Sequence, residues 1–159
     1  MAAPTATVRS TPVGRMLENG YQSLITFLAS PAVALWETEV TPPGVDGGSK
    51  IDITTMYNTT WRTGAPQALG ELTDPQFTCG YDPMTYPQII SLLNVRTTIT
   101  ILFPNGDTLA FFGYLMKFEP SSLKNGEMPN ATITIGTTNR DSSGVEQSPV
   151  LVTAAGTGT

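Results

Sequence analysis

The sequence predicts a mainly β fold, and three observations carry that prediction. Short runs of Thr, Val, Ile and aromatic residues alternate with polar ones at the period of a strand. Turn formers, including 15 Gly and 13 Pro, cut the 159-residue chain at short intervals. A single stretch combines a helix start signal with an apolar face at helical spacing. A chain of this length, 40% hydrophobic, fits one domain and can bury a real core.

Taken in order, residues 1–14 are rich in Ala, Pro and Thr and read as an arm. In GRMLENGYQSLITFLAS, Met16, Leu17, Tyr21, Leu24, Ile25 and Leu28 recur at helical spacing. Gly20 interrupts that run and Tyr, Ile, Thr and Phe cluster late, so a strand is expected near 21–28. The domain division that follows is an N-terminal arm over 1–20, a β domain over 21–138 and a C-terminal tail over 139–159. PAVALWETEV (31–40) reads as a strand ended by the loop TPPGVDGGS. KIDITTMYNTTW (50–61) is β-branched and alternating, hence a strand, and RTGAPQAL follows as a loop. GELTDPQFTCGY returns as a strand, with Pro75 marking an edge or a bulge. DPMTYPQIISLLN is the helix. Asp82 can cap it, Pro83 suits its first turn, Pro87 must also fall there or force a kink, and Ile89, Ile90, Leu92 and Leu93 form its apolar face. SSLKNGEMP is a turn-rich loop, ATITIGT a last strand, and SPVLV, within the tail, is able to add to a neighbouring sheet.

The most legible stretch is TITILFPNGDTLAFFGYLMKF (98–118). Asn105-Gly106 suits a type I′ hairpin turn, in which both central residues take positive φ. Pairing outward sets Phe103 opposite Thr108, Ile101 opposite Ala110 and Ile99 opposite Phe112. One face then carries Ile99, Ile101, Phe103, Ala110, Phe112, Tyr114, Met116 and Phe118. The other is only half polar, where an antiparallel hairpin normally shows water one clean polar face.

Composition narrows the function. Charged residues are only 13% of the chain, about half the usual share, so charge does little to keep copies apart. The net charge is −5, and the basic residues Arg9, Arg15, Lys50, Arg62, Arg96, Lys117, Lys124 and Arg140 form no sequence stripe. Binding to nucleic acid by phosphate neutralisation is therefore not expected. Cys79 is the single cysteine and is expected to be a small buried hydrophobe. No apolar run reaches membrane-spanning length, and the N-terminus lacks the pattern of a signal peptide, so no membrane role is expected. Asn58-Thr59-Thr60 and Asn130-Ala131-Thr132 match the glycosylation pattern but read as ordinary strand and turn residues. There is no His, and no nucleotide-binding or nucleophile-elbow motif. Glu37 and Glu39 lack the support of a glycosidase site, and PPGVDGGSKID lacks the ligand count of a calcium loop. No enzyme activity, cofactor or metal is expected. Flexible ends, few charges and a two-sided apolar hairpin suit self-assembly, in which another copy covers the strand edges.

LITFLASPAVALWETEVTPPGVDGGSKIDITTMYNTTWRT resembles the N-terminal half of the major tail tube proteins of long, flexible-tailed bacteriophages. The likeness is a strand with Trp36, then a Pro-Gly-x-Asp-Gly-Gly loop, then Ile-Asp-x-Thr-Thr-Met. YDPMTYPQIISLLN resembles that family's helix. ITILFPNGDTLAFFGYLMKFEPSSLKNGEMPNATITIGTTN resembles its closing strands, with a Phe-Glu-Pro corner and a Gly-Glu-x-Pro loop. The resemblance spans roughly 20–140, and its specificity lies in the order of these features.

The resemblance implies a β-sandwich or partial barrel with one flanking α-helix. Its strands would complete a continuous inner barrel in a hexameric ring. Rings would stack into a tube around a tape-measure protein, closed by tail terminator and tail-tip proteins. The tube would belong to the virion, be built in the host cytoplasm, and later conduct DNA without binding it specifically. The resemblance does not say which face is the lumen. Glu37, Glu39 and Asp52 are lumen candidates because they lie in predicted neighbouring strands whose alternating neighbours are apolar, with exposure on the outer surface as the equal alternative. Alternation sets the two glutamates on one face. Tyr57, Trp61 and Arg62 are candidates for contact between rings. The alternative from another class is a carbohydrate-binding or adhesive β-sandwich module of a phage fibre, with Tyr57, Trp61, Tyr81 and Tyr86 stacking on sugars.

Overall fold

One curled antiparallel sheet, a half-barrel, holds the core of the protein on its concave face. The computed structural model describes residues 23–33 and 35–154. The arm expected over 1–20 lies outside the described residues, as do 155–159. The central ladder is β8 (Arg96–Leu102), β9 (Thr108–Pro120) and β10 (Asn130–Thr137). On one side of it β8 carries β1 (Leu24–Phe27). On the other, β10 carries β7 (Gln76–Gly80), which carries β2 (Trp36–Thr41). The order is therefore β1-β8-β9-β10-β7-β2, with β11 (Val150–Val152) also paired on β9. Residues 150–152 thus add to the chain's own sheet.

Alternation explains which side chains go inside. Ile25 and Phe27, Ile99 and Ile101, Phe111 and Leu115, Ala131, Ile133 and Ile135, and Phe77 and Cys79 all point to the concave side and are buried. Each of the larger ones contributes roughly 1.5–3 kcal/mol by leaving water. Helix α1 (Tyr86–Leu92) closes this core with Ile89 and Leu92, while Ile90 and Leu93 stay exposed. It follows a 3₁₀ turn, Pro83–Thr85, whose Met84 N–H donates to the Asp82 carboxylate at 2.9 Å. Pro87 falls in the first turn of α1, where no N–H is needed.

The hairpin is present, but its register is one residue from the expected one. Leu102 faces Thr108, Ile101 faces Leu109 and Ile99 faces Phe111. The cause is the turn. Gly106 has φ +85°, whereas Asn105 is not at positive φ, so the turn is not type I′. Gly106 N–H donates to Phe103 O at 2.9 Å and Phe103 N–H to Asp107 O at 2.8 Å. This is a three-residue loop, with Pro104 and Asn105 in the middle of the turn and Gly106 as the left-handed residue. The slip moves Phe111 inside and Phe112 outside. The apolar and mixed faces separate cleanly once it is made.

Two further irregularities set which residues face out. The β9–β10 register shifts at Thr134/Ile135, leaving Met116 as the extra residue of β9. The β2–β7 register shifts between Glu37 and Glu39, leaving Thr38 unpaired, with its hydroxyl donating to Thr78 O at 3.1 Å. Elsewhere the expected strand over 50–61 is replaced by a projecting hairpin. Only Ile51–Asp52 (β4) is strand, paired with Gly64–Ala65 (β5). The β-branched alternation there has no sheet to pack on, because the stretch leaves the core altogether. Val45–Asp46 (β3) and Glu71–Leu72 (β6) pair at the base of this arm.

Replacing Gly106 with Val forces a β-branched residue into positive φ, at a cost of about 1–2 kcal/mol. Thermal melting of Gly106→Val should show that loss, and an unchanged melting curve would contradict the turn described.

Candidate assembly interface

The arm begins at Gly44, whose N–H donates to Thr73 Oγ1 at 2.8 Å and whose carbonyl accepts Thr73 N–H at 2.9 Å. Beyond it, Leu72 is buried and its carbonyl accepts the Thr137 hydroxyl of β10 at 2.8 Å. Thr137 N–H donates to Asp74 at 3.0 Å. The base is therefore fixed to the sheet.

The tip is tied up by its own polar side chains. The Asp52 carboxylate accepts Thr54 N–H at 2.9 Å, and bonds from the Thr54 hydroxyl and amide hold Asp52 below the usual carboxylate range. Thr54 Oγ1 accepts Thr63 N–H across the hairpin at 3.0 Å. Asn58 accepts Thr55 N–H at 2.7 Å and donates to Trp61 O at 3.2 Å. On this frame Met56, Tyr57 and Trp61 are 101%, 95% and 81% exposed. Arg62 is exposed beside them. The structure thus brings the three expected inter-ring residues into one arm tip. Single exposed hydrophobes are ordinary, but here three large ones stand on one short hydrogen-bonded hairpin.

The lumen candidates are dispersed. Asp52 is in the arm, and β4 pairs only with β5, so it does not neighbour β2. The bulge at Thr38 puts Glu37 opposite inward Cys79 and Glu39 opposite outward Thr78. The two glutamates therefore do not share a face, and the alternation expected for them fails because one extra residue shifts its phase.

Glu37 instead bridges the two ends of the sheet. Strands β1 and β2 approach each other, and the Ile25 N–H donates to Glu37 Oε1 at 3.2 Å. A carboxylate thereby stands where a barrel would have a strand ladder. Burial, and next the Glu37 charge, push the Cys79 thiol above its ordinary value. Cys79 is 2% exposed, the buried hydrophobe expected from sequence.

The convex face is poor in charge over its β1-β8-β9-β11 half. Its cross-strand rows are Leu24, Leu102, Thr108 and Val152, then Thr26, Thr100, Ala110 and Val150. Thr98 and Phe112 follow. Towards β2 the rows become Lys117 beside Thr134, then Glu119, Thr132, Thr78 and Glu39. Lys117 and Glu119 form an exposed ion pair at 2.6 Å. Sequence gave no signal for this division, because it depends on the hairpin register and both bulges. Tyr81 and Tyr86, assigned to sugar stacking in the alternative, pack on Phe118 with ring centroids 6.2 and 6.1 Å away.

No protein-family model matches the sequence. No curated protein sequence matches it either. Among solved structures, a chain of the anti-feeding prophage (AFP) baseplate, from a six-fold symmetrised cryo-EM reconstruction, is similar with a TM-score of 0.59 and 11% identity. The match covers 91% of this chain and 98% of that one. A type six secretion system protein has a TM-score of 0.45 and 14% identity, over 80% of this chain and 90% of that one. The AFP likeness shows a shared fold, and it is to a baseplate chain of a prophage particle.

Replacing Glu37 with Ala strands the Ile25 amide at the rim of the core, a loss of about 1–3 kcal/mol. Glu39→Ala, on the convex face, should stay within about 0.5 kcal/mol of wild type. Equal effects in urea melts would contradict the seam. With its thiol pKa raised and its sulfur buried, Cys79 should resist alkylation at about pH 8 until the chain unfolds. Rapid alkylation of the folded protein would contradict this.

Proposed function

We propose that this chain is a structural subunit of a phage tail or related particle. The finer reading is a tube-wall subunit, six to a ring, in stacked rings that enclose a tape-measure protein and later pass DNA. Terminator and tip proteins would cap the stack. No catalytic step belongs to this role. The observation that carries the reading is the arm tip, where hydrogen bonds fix a shape that keeps Met56, Tyr57 and Trp61 in water. Such an arrangement suits burial against a second copy, and each side chain would contribute roughly 1.5–3 kcal/mol on burial. The fold shared with a chain of a six-fold symmetrised particle supports the same reading.

The convex face suits a conduit wall. Each cation that neutralises a phosphate adds affinity and drag, and half of this face offers Thr, Ala and aliphatic groups instead. Glu39 remains suited to the lumen, on its acidic row with Glu119. Glu37 is withdrawn from that role, since its carboxylate serves the seam. A virion location, with assembly in the host cytoplasm, follows from the role.

Purified wild-type chain should form rings or tubes visible by negative-stain electron microscopy. Trp61→Ala should melt within about 0.5 kcal/mol of wild type, as an exposed substitution does, yet fail to stack. Normal tubes from that variant would remove Trp61 from the interface, and a misfolded variant would make it a core residue.

A further inference from the structure

Among the described residues, Lys117 and Lys124 lie in ion pairs with Glu119 and Glu127. Arg96 and Arg140 do not, nor do Lys50 and Arg62 of the arm, although the chain carries an excess of acid and Arg140 stands opposite Glu146 in a β-bridge. Arg96 and Arg140 are far apart in sequence, but β8 and the end of β10 bring both to one groove. Leu28 and Phe112 give it apolar walls, and Thr138 and Ser142 line it beside the arginines. No carboxylate lines it.

Several backbone groups around the groove are already satisfied. Leu28 N–H donates to Thr98 O at 3.0 Å, Ala29 N–H to Thr97 Oγ1 at 2.8 Å, and Thr138 N–H to Phe112 O at 3.0 Å. The Thr138 hydroxyl donates to Arg140 O at 3.2 Å. Two arginines line the groove, and a guanidinium donates hydrogen bonds and cannot accept them. The complementary ligand is an oxyanion, and a guanidinium beside an apolar wall fits the planar carboxylate and methylene stem of Glu or Asp. A nucleic-acid track needs a run of cations along successive phosphates, and this groove has only its arginine pair.

We propose that the Arg96–Arg140 groove binds an acidic side chain of a neighbouring copy of this chain. The inference rests on the assembly reading above. It also resolves a difficulty in that reading. Arg96 pairs with Tyr114 on the convex face, and an inter-subunit carboxylate there would neutralise the one cationic spot at the uncharged end of the wall.

The test uses the full-length chain. In Arg140→Lys, the new amine can be joined to a bound carboxylate by a zero-length carbodiimide cross-link. Mass spectrometry of assembled protein should find position 140 linked to an Asp or Glu peptide of another copy, shown by mixing isotope-labelled and unlabelled protein. Arg96→Gln with Arg140→Gln should raise the concentration for half-assembly by about tenfold at low salt and flatten its salt dependence. Assembly of the double variant with unchanged salt dependence, or tubes of Arg140→Lys without an inter-copy link at position 140, would overturn the proposal and leave the assembly reading standing. Wild-type chain that never assembles would overturn both. Arginine-dependent binding of a labelled DNA duplex by wild type would make the groove a phosphate site and overturn the carboxylate assignment.

Discussion

Ile99 opposite Phe111 is the pairing from which the other contacts follow. It places Ile99, Ile101, Phe111 and Leu115 together on the concave face, and α1 and the flanking strands then have a surface to close on. A slip of one residue would turn Phe111 and Leu115 outward. The short loop at Pro104–Gly106 fixes this register. The same loop also reaches the far end of the fold, since Asp107 accepts Ala154 N–H at 2.8 Å just beyond β11. Turn chemistry thereby governs the core, the strand added to β9 and the composition of the convex face.

Much of this was legible. The turn-rich punctuation, the β8–β9 hairpin, β10 and the helix with Asp82 and Pro87 follow from local preferences that the tertiary structure does not override. Two of the misread elements share one physical cause, which is that a side chain's face depends on counting residues from a fixed point. Asn-Gly fits two loop lengths, and the preceding Pro104 favours the longer one, which moved the faces of β9 by one residue. Nothing in Glu37-Thr38-Glu39 marks a bulge, yet that residue parts the two acids. Residues 50–61 have strand composition without a sheet to join, and alternation alone cannot reveal that a segment leaves the core.

The same features connect the fold to assembly. A sheet whose ends meet through a carboxylate still presents strand edges at β1 and β2, and the arm adds an apolar tip to a body of low charge. In the proposed assembly, burial of these surfaces would supply affinity without direction, whereas the bulge-defined convex face and the arginine groove would supply the register of one copy on the next. A ring made by repeating one heterologous contact needs both.

A cryo-EM reconstruction of the assembled protein, resolved to side chains, tests the central claim most directly. The expected result is closed six-fold rings in register, with Met56, Tyr57 and Trp61 of each arm buried on the adjacent ring and the Thr-rich convex face towards the channel. Assemblies in which the arm tips remain in solvent, or a protein that stays monomeric at every concentration tried, would contradict it.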